Sequence, residues 1–149
     1  MSLSQKCQYA FRAIFELSRR QPSGQPVSVS EIAEAQAIPP RFLEQILAEL
    51  KQGGFVASRR GAQGGYTLTV SPAELKVGDI IRFVEGPITP VKCIVGDDPD
   101  CALQGKCAFT SFWGRAKAAL ESVYDGTTFQ DLVQEAENRR AATAANYSI

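Results

Sequence analysis

Three cysteines stand close together in the chain, in the spacing Cys93-x7-Cys101-x5-Cys107, and a fourth, Cys7, lies near the N-terminus. Thiolates ligate iron-sulfur clusters and zinc, and paired thiols form disulfides. In a reducing compartment three thiols within one loop point to metal or redox chemistry ahead of structural disulfides. Three outcomes stand open: an iron-sulfur cluster whose fourth ligand is not a loop cysteine, a cluster-free thiol or disulfide switch, and zinc or inert thiols. Zinc fits least, because structural zinc sites normally close with four Cys or His ligands. Histidine is absent. That excludes catalytic triads with a His base, imidazole zinc ligands and imidazole pH switches. An incomplete ligand set fits a labile sensor, whose weakly held iron is open to oxygen, nitric oxide or chelators and is readily lost on isolation.

The elements around these thiols follow from hydrophobic spacing. Residues 4–18 place Cys7, Ala10, Phe11, Ile14 and Leu17 on one helical face, with Ser4 as N-cap. A Pro/Gly stretch at residues 19–26 breaks this helix. Ser28 and Glu31 have capping-box spacing and start a short helix to about Gln36. Ala37-Ile38-Pro39-Pro40 forms a turn, and Pro40 suits the first turn of the next helix, where a missing N–H costs nothing. That helix, residues 41–52, carries Phe42, Leu43, Ile46, Leu47 and Leu50 as an expected buried stripe. Residues 55–60 and 66–70 predict two strands joined by the glycine-rich tip Gly61-Ala62-Gln63-Gly64-Gly65. Val77, Ile80, Ile81 and Val84 predict a linking helix that ends at Gly86-Pro87.

Residues 88–107 form the cysteine loop, which also holds Asp97, Asp98, Pro99 and Asp100. Phe109, Phe112, Trp113, Ala116, Leu120 and Val123 then mark a longer helix whose broad apolar face suits a second copy of the chain, the alternative being an ordinary core helix. Thr128 can cap a last helix to about Arg139, with residues 141–149 fraying. The predicted fold class is mainly α with a small β-hairpin: a winged helix-turn-helix plus a long C-terminal dimerisation helix. Residues 1–72 make the DNA-binding domain, 73–108 the linker helix and sensor loop, and 109–149 the dimerisation and C-terminal helices.

A helix-turn-helix offers the N-terminal part of its second helix to the major groove. The candidates there are Pro40, Arg41, Glu44 and Gln45, with Ser28 at the start of the first helix. Gln45 can pair with adenine, Arg41 with guanine or phosphate, and Glu44 can accept from a cytosine amino group. Arg59, Arg60, Gln63 and Gly64 stand where a wing would reach backbone or minor groove. Residues 1–66 carry eight Lys/Arg against five Glu, a net +3, and the remainder eight against eleven, a net −3, within a chain of zero net charge. A mildly basic half joined to an acidic one fits a nucleic-acid face on a different module.

Leu43-Glu44-Gln45-Ile46-Leu47, the wing Arg60-Gly61-Ala62-Gln63-Gly64-Gly65-Tyr66, Val77-Gly78-Asp79-Ile80-Ile81 and the cysteine loop resemble the bacterial IscR, NsrR and CymR family of winged-helix regulators, over residues 1–135. The resemblance implies a homodimer with crossed long helices on a pseudo-palindromic double-stranded DNA operator. In many members it also implies an iron-sulfur cluster, 2Fe-2S ahead of 4Fe-4S, held by three loop cysteines, here Cys93, Cys101 and Cys107. Where the IscR branch has a His after the third cysteine, this chain has Thr110, and the Cys93–Cys101 gap is somewhat longer. Where the NsrR branch takes a fourth ligand from the partner's N-terminal helix, this chain has Gln8, with Cys7 beside it. Cys7 is thus a candidate ligand, but a one-residue shift turns a helical side chain by about 100°. The alternative is that Cys7 packs as a small apolar residue.

A chain of 149 residues fits one ordinary domain. No segment has the length of apolar sequence that spans a bilayer, and residues 1–6 lack an apolar signal region, so a cytoplasmic protein without membrane partners is expected. An electron carrier would leave the wing unexplained, and a protein-docking adaptor would lack salt-sensitive DNA binding. No nucleophile–base pair, P-loop or closed catalytic metal set supports an enzyme.

Overall fold

Helix α1 (Gln5–Arg20) begins at Ser4, whose Oγ accepts the Cys7 amide at 3.1 Å. In the computed structural model, which describes residues 2–96, 98 and 100–148, this helix is the centre of the core. Cys7, Ala10, Ile14 and Leu17 are buried along it as their spacing predicts, whereas Phe11 is only partly buried. Around it pack α2 (Val29–Gln36), α3 (Pro40–Gln52), α4 (Val77–Glu85) and the first turns of α6 (Phe129–Tyr147).

The predicted capping box is present at α2. Glu31 N–H donates to Ser28 Oγ at 3.2 Å and Ser28 N–H donates to Glu31 Oε2 at 2.8 Å. The turn to α3 is made by Ala37 at φ 51°, followed by Pro39 as N-cap and Pro40 in the first turn. Leu43, Ile46, Leu47 and Leu50 bury the inner face of α3. Phe42, expected in that stripe, is 52% exposed. Its position a quarter-turn from the stripe's centre takes the ring past the edge of the core.

Strands β1 (Val56–Arg59) and β2 (Gly65–Leu68) pair antiparallel, Val56 with Leu68 and Arg59 with Gly65. Val27 and Tyr66 exchange backbone hydrogen bonds of 2.9 and 2.8 Å, fastening the hairpin to the segment before α2. A Cβ on Gly65 would stand 2.3 Å from the Val27 carbonyl oxygen, so only glycine allows this approach.

Helix α5 (Thr110–Gly126) has no buried residue, and Phe109, Phe112 and Val123 are exposed beside or along it. α6 runs to Tyr147 rather than fraying after Arg139. Its alanine-rich final turns carry high helix propensity and keep the helix intact without burial. Asp97 and Pro99 of the cysteine loop, and Met1 and Ile149, lie outside the described residues. Among the described residues, no helix is long and apolar enough to cross a membrane.

Candidate DNA interface and thiol cavity

Pro40, Arg41, Glu44 and Gln45 are all exposed on the outer side of α3, opposite the buried stripe. Arg59 at the end of β1, Arg60 and Gln63 are exposed on the hairpin, while Gly64 is half-buried. Among the described residues, Arg41, Arg59 and Arg60 make no ion pair, so their guanidinium groups are available to an external anion. Lys51 Nζ donates to Ser58 Oγ at 2.7 Å and ties the end of α3 to β1. Ser28 is half-buried, with its hydroxyl engaged as the α2 cap.

Beneath α2 lies a charge network that spacing alone does not reveal. Glu16 is fully buried on α1. Arg19 Nη2 donates to its Oε1 at 2.5 Å, Arg20 Nε to the same oxygen at 2.6 Å, and Gln36 Nε2 to Oε2 at 2.8 Å. Burial raises this carboxyl, but the hydrogen bonds from Arg19, Gln36 and Arg20 outweigh it and hold Glu16 below the usual carboxylate value. Arg20 also stands 3.6 Å from Glu31, joining the network to the α2 capping box. The helix-turn-helix is thereby keyed to α1 by a buried anion.

The three loop cysteines share one cavity of about 840 Å³. Cys93 enters it from a single 3₁₀ turn at Lys92–Ile94, Cys101 and Cys107 from the loop, and Thr110 and Trp113 from the first turns of α5. All three thiols are free. Asp98 and Gln104 complete its polar wall. The Thr110 hydroxyl donates to the Cys107 carbonyl at 3.2 Å, serving the start of α5. Three soft donors lining one cavity fit an iron-sulfur cluster in kind. Among the described residues, however, no three Cys, Asp or Glu side chains converge as they stand into a metal-holding group.

Cys7 is elsewhere. It is fully buried against the core, and burial, with the Glu85 carboxylate adding to it, pushes its thiol up to about 11. A buried thiol held protonated is a poor ligand, and in the single chain Cys7 packs as a small apolar residue, the alternative that its place in the sequence left open.

Helix α5, whose first turns line the cavity, is held to α4 at its far end. Val77 N–H donates to Thr127 O, and Phe129 N–H to Leu75 O, each at 3.0 Å, clamping the start of α4 to the α5–α6 junction. At the other end of α4, Glu85 Oε1 accepts the Ser4 amide at 2.8 Å, reaching the N-cap of α1.

The Rrf2 family, described as an iron-dependent transcriptional regulator, matches residues 3–135. The chain belongs to the Rrf2 family. This Rrf2 chain is 34% identical over 142 residues to the HTH-type transcriptional regulator CymR of Bacillus subtilis (strain 168), which covers 95% of this chain and 96% of that one. The solved structure of CymR, the global cysteine regulator of B. subtilis, matches with a TM-score of 0.75 at 34% identity, over 91% of this chain and 98% of that chain. IscR of T. potens matches with a TM-score of 0.73 at 37% identity, over 93% and 90%. The Rrf2 fold, mainly helical with one two-stranded hairpin, is that expected from the sequence. Like its relatives, the protein is a DNA-binding transcriptional regulator and not an enzyme.

Sequence spacing missed three features of this Rrf2 chain: the exposure of Phe42, the Glu16 network, and the wall that Trp113 adds to the thiol cavity. Periodicity assigns Phe42 and Trp113 to apolar faces without saying what those faces meet, and it sets Glu16 on the side of α1 away from the apolar stripe, with no local mark of burial.

Proposed function

We propose that the chain acts as a homodimer on a pseudo-palindromic operator, with α3 reading bases, the hairpin gripping the backbone, and the loop thiols setting affinity. The carrying observation is that Cys93, Cys101 and Cys107 share a cavity whose far wall, Thr110 and Trp113, is the start of α5. Residues 1–72 serve DNA, 73–108 link and sense, and 109–149 pair the subunits, all in the bacterial cytoplasm where the operator lies. Arg41, Glu44 and Gln45 contact base edges, Pro40 and Ser28 shape the approach, and Arg59, Arg60, Gln63 and Gly64 form the wing contact.

The three thiolates would hold an iron-sulfur cluster, 2Fe-2S ahead of 4Fe-4S, through their sulfur atoms. A bound cluster would supply iron that oxygen or nitric oxide attacks. The chain's own contribution is mechanical. Closing residues 93–107 fixes the first turn of α5, and with it the separation of two recognition helices that must match half-sites about 34–36 Å apart. Thr110, a neutral hydroxyl committed to the Cys107 carbonyl, adds no strong fourth ligand. A second reading, a cluster-free thiol switch, draws support from that missing ligand and from three free thiols on one cavity.

Anaerobic purification with iron and sulfide analysis and a visible spectrum tests the choice. Thiolate-to-iron bands with stoichiometric sulfide support the cluster, and a colourless, iron-free protein supports the thiol switch. Cys93, Cys101 and Cys107 exchanged for Ala, with no change in operator affinity or redox response, would sink both readings.

A further inference from the structure

The geometry points to Phe42 as a base-reading residue whose ring receives the C5-methyl group of a thymine in the major groove. This rests on α3 being the helix that enters the groove. Phe42 is 52% exposed and follows Arg41 directly, so the core does not account for it. Together with Gln45, Tyr9 and Ile46 it lines a small, mainly apolar hollow of about 200 Å³ between α3 and the first turns of α1.

The rim of that hollow is polar and partly cationic. Lys6 Nζ lies 2.6 Å from Glu49 Oε2, Gln5 Nε2 donates to the Tyr9 hydroxyl at 2.9 Å, and the Arg12 guanidinium stands 5.5 Å from the centre of the Tyr9 ring. A protein partner would need about 800 Å² of surface on each side, far more than this hollow offers. A single methyl group with the edge of its base fits. Among the groups that base pairs present in the major groove, the thymine methyl is the apolar one, and Phe is among the side chains suited to it. Gln45, on the same wall, is then placed to take an adjacent adenine. The resulting step is an A·T-rich pair of positions in each half-site, one read by hydrogen bonds and one by its methyl group.

The test starts from a random-sequence duplex pool, selected separately by wild-type protein and by Phe42→Ala. The wild type is expected to fix a thymine in each half-site that becomes degenerate with Phe42→Ala while the remaining positions persist. Replacing that thymine by deoxyuridine removes only the methyl group. It should weaken wild-type binding about four-fold per half-site, the worth of one buried methyl, and leave Phe42→Ala binding unchanged. Phe42→Leu, which keeps apolar volume, should retain part of the methyl preference. An equal deoxyuridine effect on wild type and Phe42→Ala, or a consensus that Phe42→Ala leaves intact, overturns the assignment of Phe42. Failure of the wild type to enrich any duplex overturns the α3 reading itself, and this inference with it.

Discussion

Arg82 and Asp125, 43 residues apart, meet in a two-pronged pair in which Nη1 donates to Oδ1 and Nη2 to Oδ2, each at 2.7 Å. The pair joins α4, which packs on α1, to the end of α5, none of whose residues is fully buried in the single chain. Gly78 makes room for it, since a Cβ there would stand 2.0 Å from Asp125 Oδ1. Gly78→Ala should therefore displace the carboxylate and break the pair, at a cost no greater than that of the pair itself, about 0.5 kcal/mol, because the atoms in the way are the ends of two part-exposed side chains and Ala is the better helix former. The hydrogen bond from Arg82 holds the Asp125 carboxyl below its usual value. The pair's stabilisation is then present above the ordinary carboxylate pKa and is lost as pH falls through the depressed one. Both side chains are about a third exposed, so Asp125→Asn should cost only about 0.5 kcal/mol at pH 7. Urea midpoints at pH 7 and pH 3 check this: a gap between wild type and Asp125→Asn that persists unchanged at pH 3 contradicts it.

The Glu16 network predicts a larger effect. Glu16→Ala leaves two guanidinium groups and the Gln36 amide without their shared acceptor, although both arginines can still reach water. A loss of about 2–3 kcal/mol is expected, below the full cost of breaking a wholly buried pair. Because the folded carboxyl lies below its unfolded value, this stabilisation too holds at neutral pH and fades as pH falls through the depressed pKa. The matching readout is DNA affinity, since α2 loses its anchor on α1. Stability unchanged by Glu16→Ala would show the network to be incidental.

Thiol accessibility divides the cysteines into two groups. Cys93 is exposed and Cys101 and Cys107 are half-buried on the cavity, whereas Cys7 is fully buried with its pKa near 11. In the reduced, metal-free native protein a thiol reagent at pH 8 should modify three cysteines quickly and Cys7 only at the rate of unfolding. Fast modification of all four would contradict the packing of α1. Above pH 9 the unfolded chain ionises Cys7 before the folded one does, so stability should decline between about pH 9 and 11.

Helix α5 carries the pairing prediction. Phe112 and Val123 are exposed apolar side chains 48% and 63% accessible on a helix with no buried residue. Phe112→Asp with Val123→Arg should shift sedimentation toward monomer while leaving the melting temperature of the single chain nearly intact. A double variant that sediments like wild type would place the subunit contact elsewhere.

Much of this molecule is local and could be anticipated. The Ser28–Glu31 capping box, the Pro40 helix start, the glycine tip of the hairpin and the spacing of the loop cysteines each depend on residues a few positions apart. Such features follow from backbone dihedral preferences and from hydrogen bonds that close within one turn. The placing of whole faces is different. Phe42 and Leu43 both look apolar, yet one faces outward and the other the core, because α1 covers only part of α3. Cys7 resembles the loop thiols in chemistry, but the packing of α1 among four helices removes it from them. Arg82 finds Asp125, and Val77 finds Thr127, across some 40 to 50 residues of chain. These outcomes are set by which surfaces exclude water together, a property of the assembled helices that no short window of residues contains.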